Sequence, residues 1–368
     1  MRLTELEIQG VRNLSNVAIE CVRGLNLFVG ANGAGKTAIL ESIYLLARGR
    51  SFRAGSIGAV IERGAPELVI CTEIQDERRG AMRVRLSKGR AGVAELLING
   101  EPQRALSSVA GLMPIQVMLP DASNLVLGPP DERRRFLDWG TFHVEPGYVK
   151  ASRDFQRALQ QRNAVLRETP RRRSSDELDV WTARVVELGV TVDEMRRRYV
   201  ASLLPAVARW MSSMIPNLQL RVVYYAGWPE HETLDESLRE THARDVNSAV
   251  TSRGPHRAEL RLEVGTERAS AVLSRGQAKM VASAMRLAQA EVTSQLGGRR
   301  CIFLIDDIGA ELDDTHNERF FGALETLECQ VFATATDAQQ MVGWFAGERV
   351  KVFHVEQGKL ACWQHREA

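Results

Sequence analysis

Eight consecutive residues, Gly30-Ala31-Asn32-Gly33-Ala34-Gly35-Lys36-Thr37, carry the most specific chemistry in the chain. A glycine, four residues and then Gly-Lys-Thr is the spacing of a loop that turns its backbone N–H groups onto nucleotide phosphates. Its lysine reaches the outer phosphates and its hydroxyl reaches Mg²⁺. A second group, Asp306-Asp307, ends the apolar run Ile302-Phe303-Leu304-Ile305. A carboxylate at the end of a buried strand is what a Mg²⁺ site beside such a loop needs, because it orients the waters of the metal. Alone, an acidic strand end is also compatible with a polar turn. Beside the loop it makes Asp306, Asp307 and Lys36 the catalytic candidates, with Thr37 and Asp306 as the metal-side pair. The third group is Ser274-Arg275-Gly276-Gln277, a capping box of S-x-x-Q form. It opens a helix whose N–H groups and dipole favour an anion, unless it is an ordinary cap and nothing more.

The elements that must position these groups are legible in the periodicity. Leu25-Asn26-Leu27-Phe28-Val29 reads as a buried strand before the loop. Ile39, Leu40, Ile43, Leu46 and Ala47 mark one face of a helix after it, closed by Gly49. Val281, Ala284, Met285, Ala288, Val292 and Leu296 give the helix after Ser274 its apolar face, and Gly297-Gly298 end it. Strand-like runs at 301–305 and 330–334 flank a helix-like stretch from Asp313 to Leu327. Residues 3–29 and 67–99 alternate in strand fashion, the latter ending in the turn dipeptide Asn99-Gly100, and predict an antiparallel sheet.

From Tyr148 the period changes. Leu178, Trp181, Val185, Leu188, Val192, Met195 and Tyr199 recur at spacings of three and four, the seam of a helix packed along a partner. Tyr148, Ala151, Phe155, Ala158 and Val165 supply the weaker matching face upstream. Between them Pro170 breaks the first helix, and Ser174 with Glu177 caps the second. The pattern predicts a helical hairpin over about 148–205. Its tip and first arm are basic: Lys150, Arg153, Arg157, Arg162, Arg167, Arg171, Arg172 and Arg173 face only Asp154 and Glu168. Such density attracts a phosphate backbone without reading sequence, with Arg171, Arg172 and Arg173 as the DNA-contact candidates. A solvated surface is the other reading, because 42 of the 48 basic residues are arginine throughout the chain.

The remaining numbers set bounds. With 368 residues, 44% of them apolar, the chain is long enough for two domains. A formal charge of +2 says little about partners. Met1-Arg2-Leu3-Thr4-Glu5 opens into an alternating strand rather than a secretory signal, and no run of about twenty apolar residues predicts a membrane helix. Five scattered cysteines without metal-ligand spacing suggest free thiols in a reducing cytoplasm.

The order of the three chemical groups, phosphate loop, then LSRGQ, then IDD followed by AELDD, resembles the ATP-binding-cassette (ABC) ATPases. It is similar in particular to their chromosome-maintenance and repair branch, and most of all to the RecF family of bacterial recombination mediators. NGAGKTAILESIYLLARGRSFR, ERRRFLD, QQRNAVLRE, RGPHRAEL, LSRGQAK and IDDIGAELDD match that pattern in order along nearly the whole chain. The resemblance implies an α/β fold: an ABC-type P-loop ATPase head with an antiparallel β subdomain and an inserted α-helical arm domain. About 270 residues separate Lys36 from Asp306, so the head is discontinuous, expected at 1–115 and 250–368 with the arm at 116–249. The resemblance further implies a homodimer that sandwiches ATP and Mg²⁺ head to tail, with Ser274, Gly276 and Gln277 acting in trans on the γ-phosphate. It implies binding to single-stranded DNA and single-strand/double-strand junctions, recombinase loading at gaps with a RecR-like mediator protein, a place in the SOS response, and no membrane.

Two departures from transporter cassettes stand out. Asp307 replaces the glutamate that positions attacking water there, predicting a weak ATPase suited to a switch. Thr334 and Thr336 stand in the region of the transporter histidine near the γ-phosphate, where a hydroxyl can hydrogen-bond but not titrate usefully. The alternative of an ABC transporter subunit expects that histidine and a short insert. A small-molecule kinase or GTPase would leave LSRGQ without purpose. Arg133-Arg134-Arg135 and Gly254-Pro255-His256-Arg257 also match the family pattern without evident chemistry, and His256 reads as a structural histidine at a tight turn.

Overall fold

The computed structural model describes residues 1–77, 79–92, 94–168, 175–308, 314–337 and 349–362. The chain divides into two compact units, Met1–Ala122 with Thr293–Ala368, and Ser123–Val292.

The first unit is built on two six-stranded sheets. In one, strands Ile115–Met118, Ile302–Ile305, Gln330–Ala335, Leu25–Val29 and Val350–Glu356 run parallel in that order, and Lys359–Cys362 closes the edge antiparallel. Every residue of Ile302–Ile305 and of Gln330–Ala335 is buried, which is why these strands read as continuous apolar runs rather than alternations. The loop strand and the acidic strand both border Gln330–Ala335, so the phosphate loop and Asp306 lie at the carboxyl ends of strands one place apart. Open parallel sheets place their ligand sites at such ends.

The other sheet is the expected antiparallel one, in the order Leu14–Glu20, Arg2–Val11, Glu67–Asp76, Gly80–Gly89, Ala94–Ile98 and Glu101–Pro102. Asn99 and Gly100 both have positive φ, as a two-residue hairpin turn demands. A register shift between Leu3 and Glu5 resets the alternation, so Leu3 and Leu6, three apart, both face the core.

The second unit contains the helical hairpin. Its arms are Tyr148–Arg167 and Ser175–Met214; residues 169–174, with Arg171, Arg172, Arg173 and Ser174, lie outside the described residues. The second arm is longer than expected, running 40 residues through Pro205 to Met214. Leu178, Val185, Val192 and Tyr199 of its seam are buried, and Trp181, Leu188 and Met195 half-buried. Trp181, Val185, Leu188, Val192 and Met195 pack with Tyr148, Phe155 and Ala158 of the first arm, and Leu178 packs with Val165 and Leu166.

Residues 250–292, expected with the ATPase head, fall instead in the helical unit. Strand pairing and side-chain hydrogen bonds hold them there. Strand Glu259–Val264 pairs with Leu220–Tyr225, and Gln289, on the helix Arg275–Gly297, donates its amide to the Phe136 carbonyl and the Tyr199 hydroxyl, both at 2.9 Å. The first division also comes later than residue 115, because Ile115–Met118 is a strand of the parallel sheet.

Candidate nucleotide site

The loop after Leu25–Val29 is shaped by its glycines. A side chain on Gly30 would come within 2.2 Å of the Val355 carbonyl oxygen, and Gly35 holds φ 117° as the N-cap of helix Lys36–Arg48. The helix ends on Gly49 at φ 66°, in the position its sequence predicted. Lys36 is buried, its ammonium donating to the carbonyls of Gly30 at 2.5 Å and Ala31 at 3.0 Å. Burial pushes its pKa down, and the carboxylates of Asp307 and Asp306 oppose that push. A phosphate group would add to the opposing side and keep the lysine charged.

Asp306 is joined to the loop directly. Its Oδ1 accepts from the Thr37 hydroxyl at 2.9 Å and from the Thr334 hydroxyl at 2.8 Å. Asp307 sits in the left-handed region at φ 58°, exposed at the same cleft. The cleft is open, of about 850 Å³, and lined among others by Asn32, Gly33, Lys36, Thr37, Asp306 and Asp307. Its donor set is a buried ammonium and backbone N–H groups on one side and hard oxygens on the other. That set suits a polyphosphate with Mg²⁺, for which Thr37 and Asp306 would supply the two protein oxygens.

Two polar cleft residues, Asn13 and Arg12, escaped the sequence reading. Asn13 donates its side-chain amide to the carbonyls of Ala34 at 3.1 Å and Gly33 at 3.4 Å, buttressing the loop. Arg12, at φ 56°, makes two 2.9 Å bonds to Glu41, which is wholly buried and also accepts from Ser51. Arg53 lines the same cleft. The signal for Arg12 was Glu41 itself: an acid between Leu40 and Ile43 on a buried helix face requires a cationic partner.

In the second unit Ser274 and Gln277 form the predicted reciprocal box, Gln277 N–H donating to Ser274 Oγ at 3.2 Å and Ser274 N–H to Gln277 Oε1 at 3.0 Å. Ser274, Arg275, Gly276 and Gln277 are all exposed, and nothing lies within 4 Å of where a Gly276 side chain would start. The helix behind them is buried at Val281, Ala284, Met285, Ala288 and Val292. Leu296, predicted on the same face, is instead 55% exposed in the last turn.

The basic arm is less basic than its composition. Arg162 is wholly buried, bound to Asp245 at 2.9 Å, Thr251 at 2.6 Å and Thr182 at 2.9 Å. Lys150 and Arg157 both pair with Asp154. Arg133 clamps Glu259 and the carbonyls that end the helix Asn124–Leu127, a packing role. His256 faces the Thr251 carbonyl at 2.9 Å, and burial lowers its pKa to about 4, as suits a structural histidine. Cys21, Cys71, Cys301 and Cys329 are free thiols, with burial raising Cys21 and Cys329 to about 12.

A parallel sheet that delivers a phosphate loop and an acidic pair at its carboxyl ends, with a long helical insert between them in the sequence, defines an ABC-type ATPase head. The family described as RecF/RecN/SMC N terminal domain matches residues 2–361. Over 369 aligned residues, and 100% of both chains, the sequence is 37% identical to the DNA replication and repair protein RecF of Pseudomonas syringae pv. syringae (strain B728a). The RecF protein of Pseudomonas putida (strain GB-1) matches to the same extent. The chain therefore belongs to the RecF family of DNA replication and repair proteins. Its fold superposes on the recombination mediator protein RecF-ATPrS in the RecFOR pathway with a TM-score of 0.86 at 22% identity, covering 99% of this chain and 98% of that one. An SMC head bound to the C-winged helix domain of ScpA follows at a TM-score of 0.61 and 16% identity, covering 100% and 98%. Among the described residues no helix is long and apolar enough to cross a membrane.

Proposed function

We propose that this chain is an ATP-switched DNA-binding protein of repair and replication, working as a head-to-tail homodimer that closes on ATP. The observation that carries the reading is the exposed, capped helix start at Ser274–Gln277. A helix N-terminus of this kind suits the γ-phosphate held by a second copy's loop. The γ-phosphate then offers acceptors to both subunits, so ATP favours the dimer and ADP releases it.

Bound Mg²⁺·ATP supplies the phosphoanhydride and the polarising charge. The chain's own residues do the rest: Gly30 to Gly35 wrap the phosphates, Lys36 neutralises the outer ones, and Thr37 and Asp306 hold the metal. Asp307 orients attacking water, and its short side chain keeps hydrolysis slow, a timer rather than a motor. The closed dimer marks single-strand/double-strand junctions in the cytoplasm and promotes recombinase loading at gaps with a RecR-like mediator, within the SOS response. Arg171, Arg172 and Arg173 are the residues proposed to touch the DNA backbone.

The test is retention of gapped, single-stranded and fully duplex DNA by the full chain with ATP, ADP or no nucleotide. The reading expects ATP-dependent retention that favours gapped DNA. Equal retention in all three nucleotide states would sink it. If changing Arg171, Arg172 and Arg173 to Glu leaves retention intact at low salt, the contact lies elsewhere.

A further inference from the structure

Thr334, with Thr336, stands in the region where transporters carry a histidine. Its hydroxyl does something different. Thr334 Oγ1 donates to Asp306 Oδ1 at 2.8 Å and accepts from the Asp307 N–H at 2.8 Å. The Thr334 carbonyl accepts from the Ile308 N–H at 2.9 Å. One buried residue on the strand between the phosphate-loop strand and the acidic strand thus fixes three successive residues of the turn. The middle one, Asp307, is a non-glycine residue at φ 58°, a conformation that persists only where its surroundings impose it.

We infer that Thr334 is a positioning residue that sets both carboxylates of the site, Asp306 through its side chain and Asp307 through its backbone. The inference rests on the nucleotide reading above and deepens it. Thr37 and Thr334 now share the same oxygen of Asp306. With a metal bound, the Thr37 hydroxyl would be drawn to it, and Thr334 would remain the tether on Asp306. The Asp307 N–H has its partner in the same hydroxyl, so removing that oxygen frees the turn and lets Asp307 leave the left-handed region. Such outer partners of a metal-side carboxylate act on metal affinity more than on the fold.

The experiment compares the wild-type full chain with Thr334→Val, which keeps shape and strand propensity, and Thr334→Ser, which keeps the hydroxyl. Hydrogen exchange of the nucleotide-free protein over residues 305–308 reads the turn. Electron paramagnetic resonance with Mn²⁺ and a non-hydrolysable ATP analogue reads the metal side. Thr334→Val is expected to speed exchange at Asp307 and to weaken Mn²⁺ about 10- to 100-fold, leaving metal-free analogue binding within about twofold. Thr334→Ser is expected to match the wild type in all three. Wild-type exchange and Mn²⁺ affinity in Thr334→Val would overturn the inference, as would a Thr334→Ser protein as impaired as Thr334→Val. If the wild type binds no Mn²⁺ with the analogue, the nucleotide reading fails, and the exchange comparison still decides whether Thr334 holds the turn.

Discussion

The phosphate loop and the Ser274–Gln277 segment are both helix starts, yet they are built in opposite ways. The loop is held by residues outside it: Lys36 is buried, Asn13 and Gly358 hold the Ala34 carbonyl, and Asp306 reaches across to Thr37. The Ser274 segment satisfies only itself, through one reciprocal cap, and presents Gly276 to open space. A site whose parts are locked in place is finished by its own chain. In the proposed dimer, the open segment would meet the phosphate held by a second copy of the chain.

That contrast can be broken most severely at Lys36. Lys36→Ala is expected to abolish ATP binding and, with it, dimerisation, as read by equilibrium titration and light scattering. Next in size, Ser274→Arg is expected to leave ATP affinity within about twofold while removing the ATP-induced dimer, the outcome that action in trans requires. Should both variants still dimerise with ATP, the composite site is wrong.

The arm behind the open segment is sharpened by stability measurements. Asp245→Ala leaves the Arg162 guanidinium buried without its carboxylate, at an expected cost of about 3–5 kcal/mol in urea unfolding. Replacing both residues, Arg162→Met with Asp245→Leu, should recover much of that loss. His256 gives a smaller, pH-dependent effect. Its folded pKa is lowered to about 4, first by burial, from an ordinary 6.5. The unfolded chain therefore takes up the proton first, so stability is full above 6.5 and falls as pH drops toward 4, by up to about 1.4 kcal/mol per unit. His256→Gln should remove that slope. Smallest of all, Leu296→Ser is expected to change stability by less than about 0.5 kcal/mol, since the side chain is exposed. Met285→Ala, wholly buried on the same helix, should cost about 2–5 kcal/mol.

These differences also explain how much of the fold and the site is legible in the sequence. Gly30 to Thr37, the capping box and the alternating strands are local patterns, and local patterns survive in sequence order. The 148–199 seam was legible for the same reason, as a repeat of threes and fours. What escaped was set by distant pairing. Residues 250–292 join the helical unit because Glu259–Val264 pairs with Leu220–Tyr225, and nothing in either strand names its partner. Arg162 counted as a basic surface residue until Asp245, 83 positions away, proved to be its partner. Thr334 looked like a histidine substitute facing a phosphate; its bonds to Asp306 and Asp307 bridge two strands that sequence spacing alone does not align. Leu296 kept the helical period after the helix had run past the core.

The central claim is that ATP joins two copies of this chain. Light scattering of the full protein with ATP, with ADP and without nucleotide, each with and without gapped DNA, tests it most directly. A dimer with ATP alone, strengthened by gapped DNA and dispersed by ADP, is the predicted result. A monomer in all three states that ignores the DNA would contradict it.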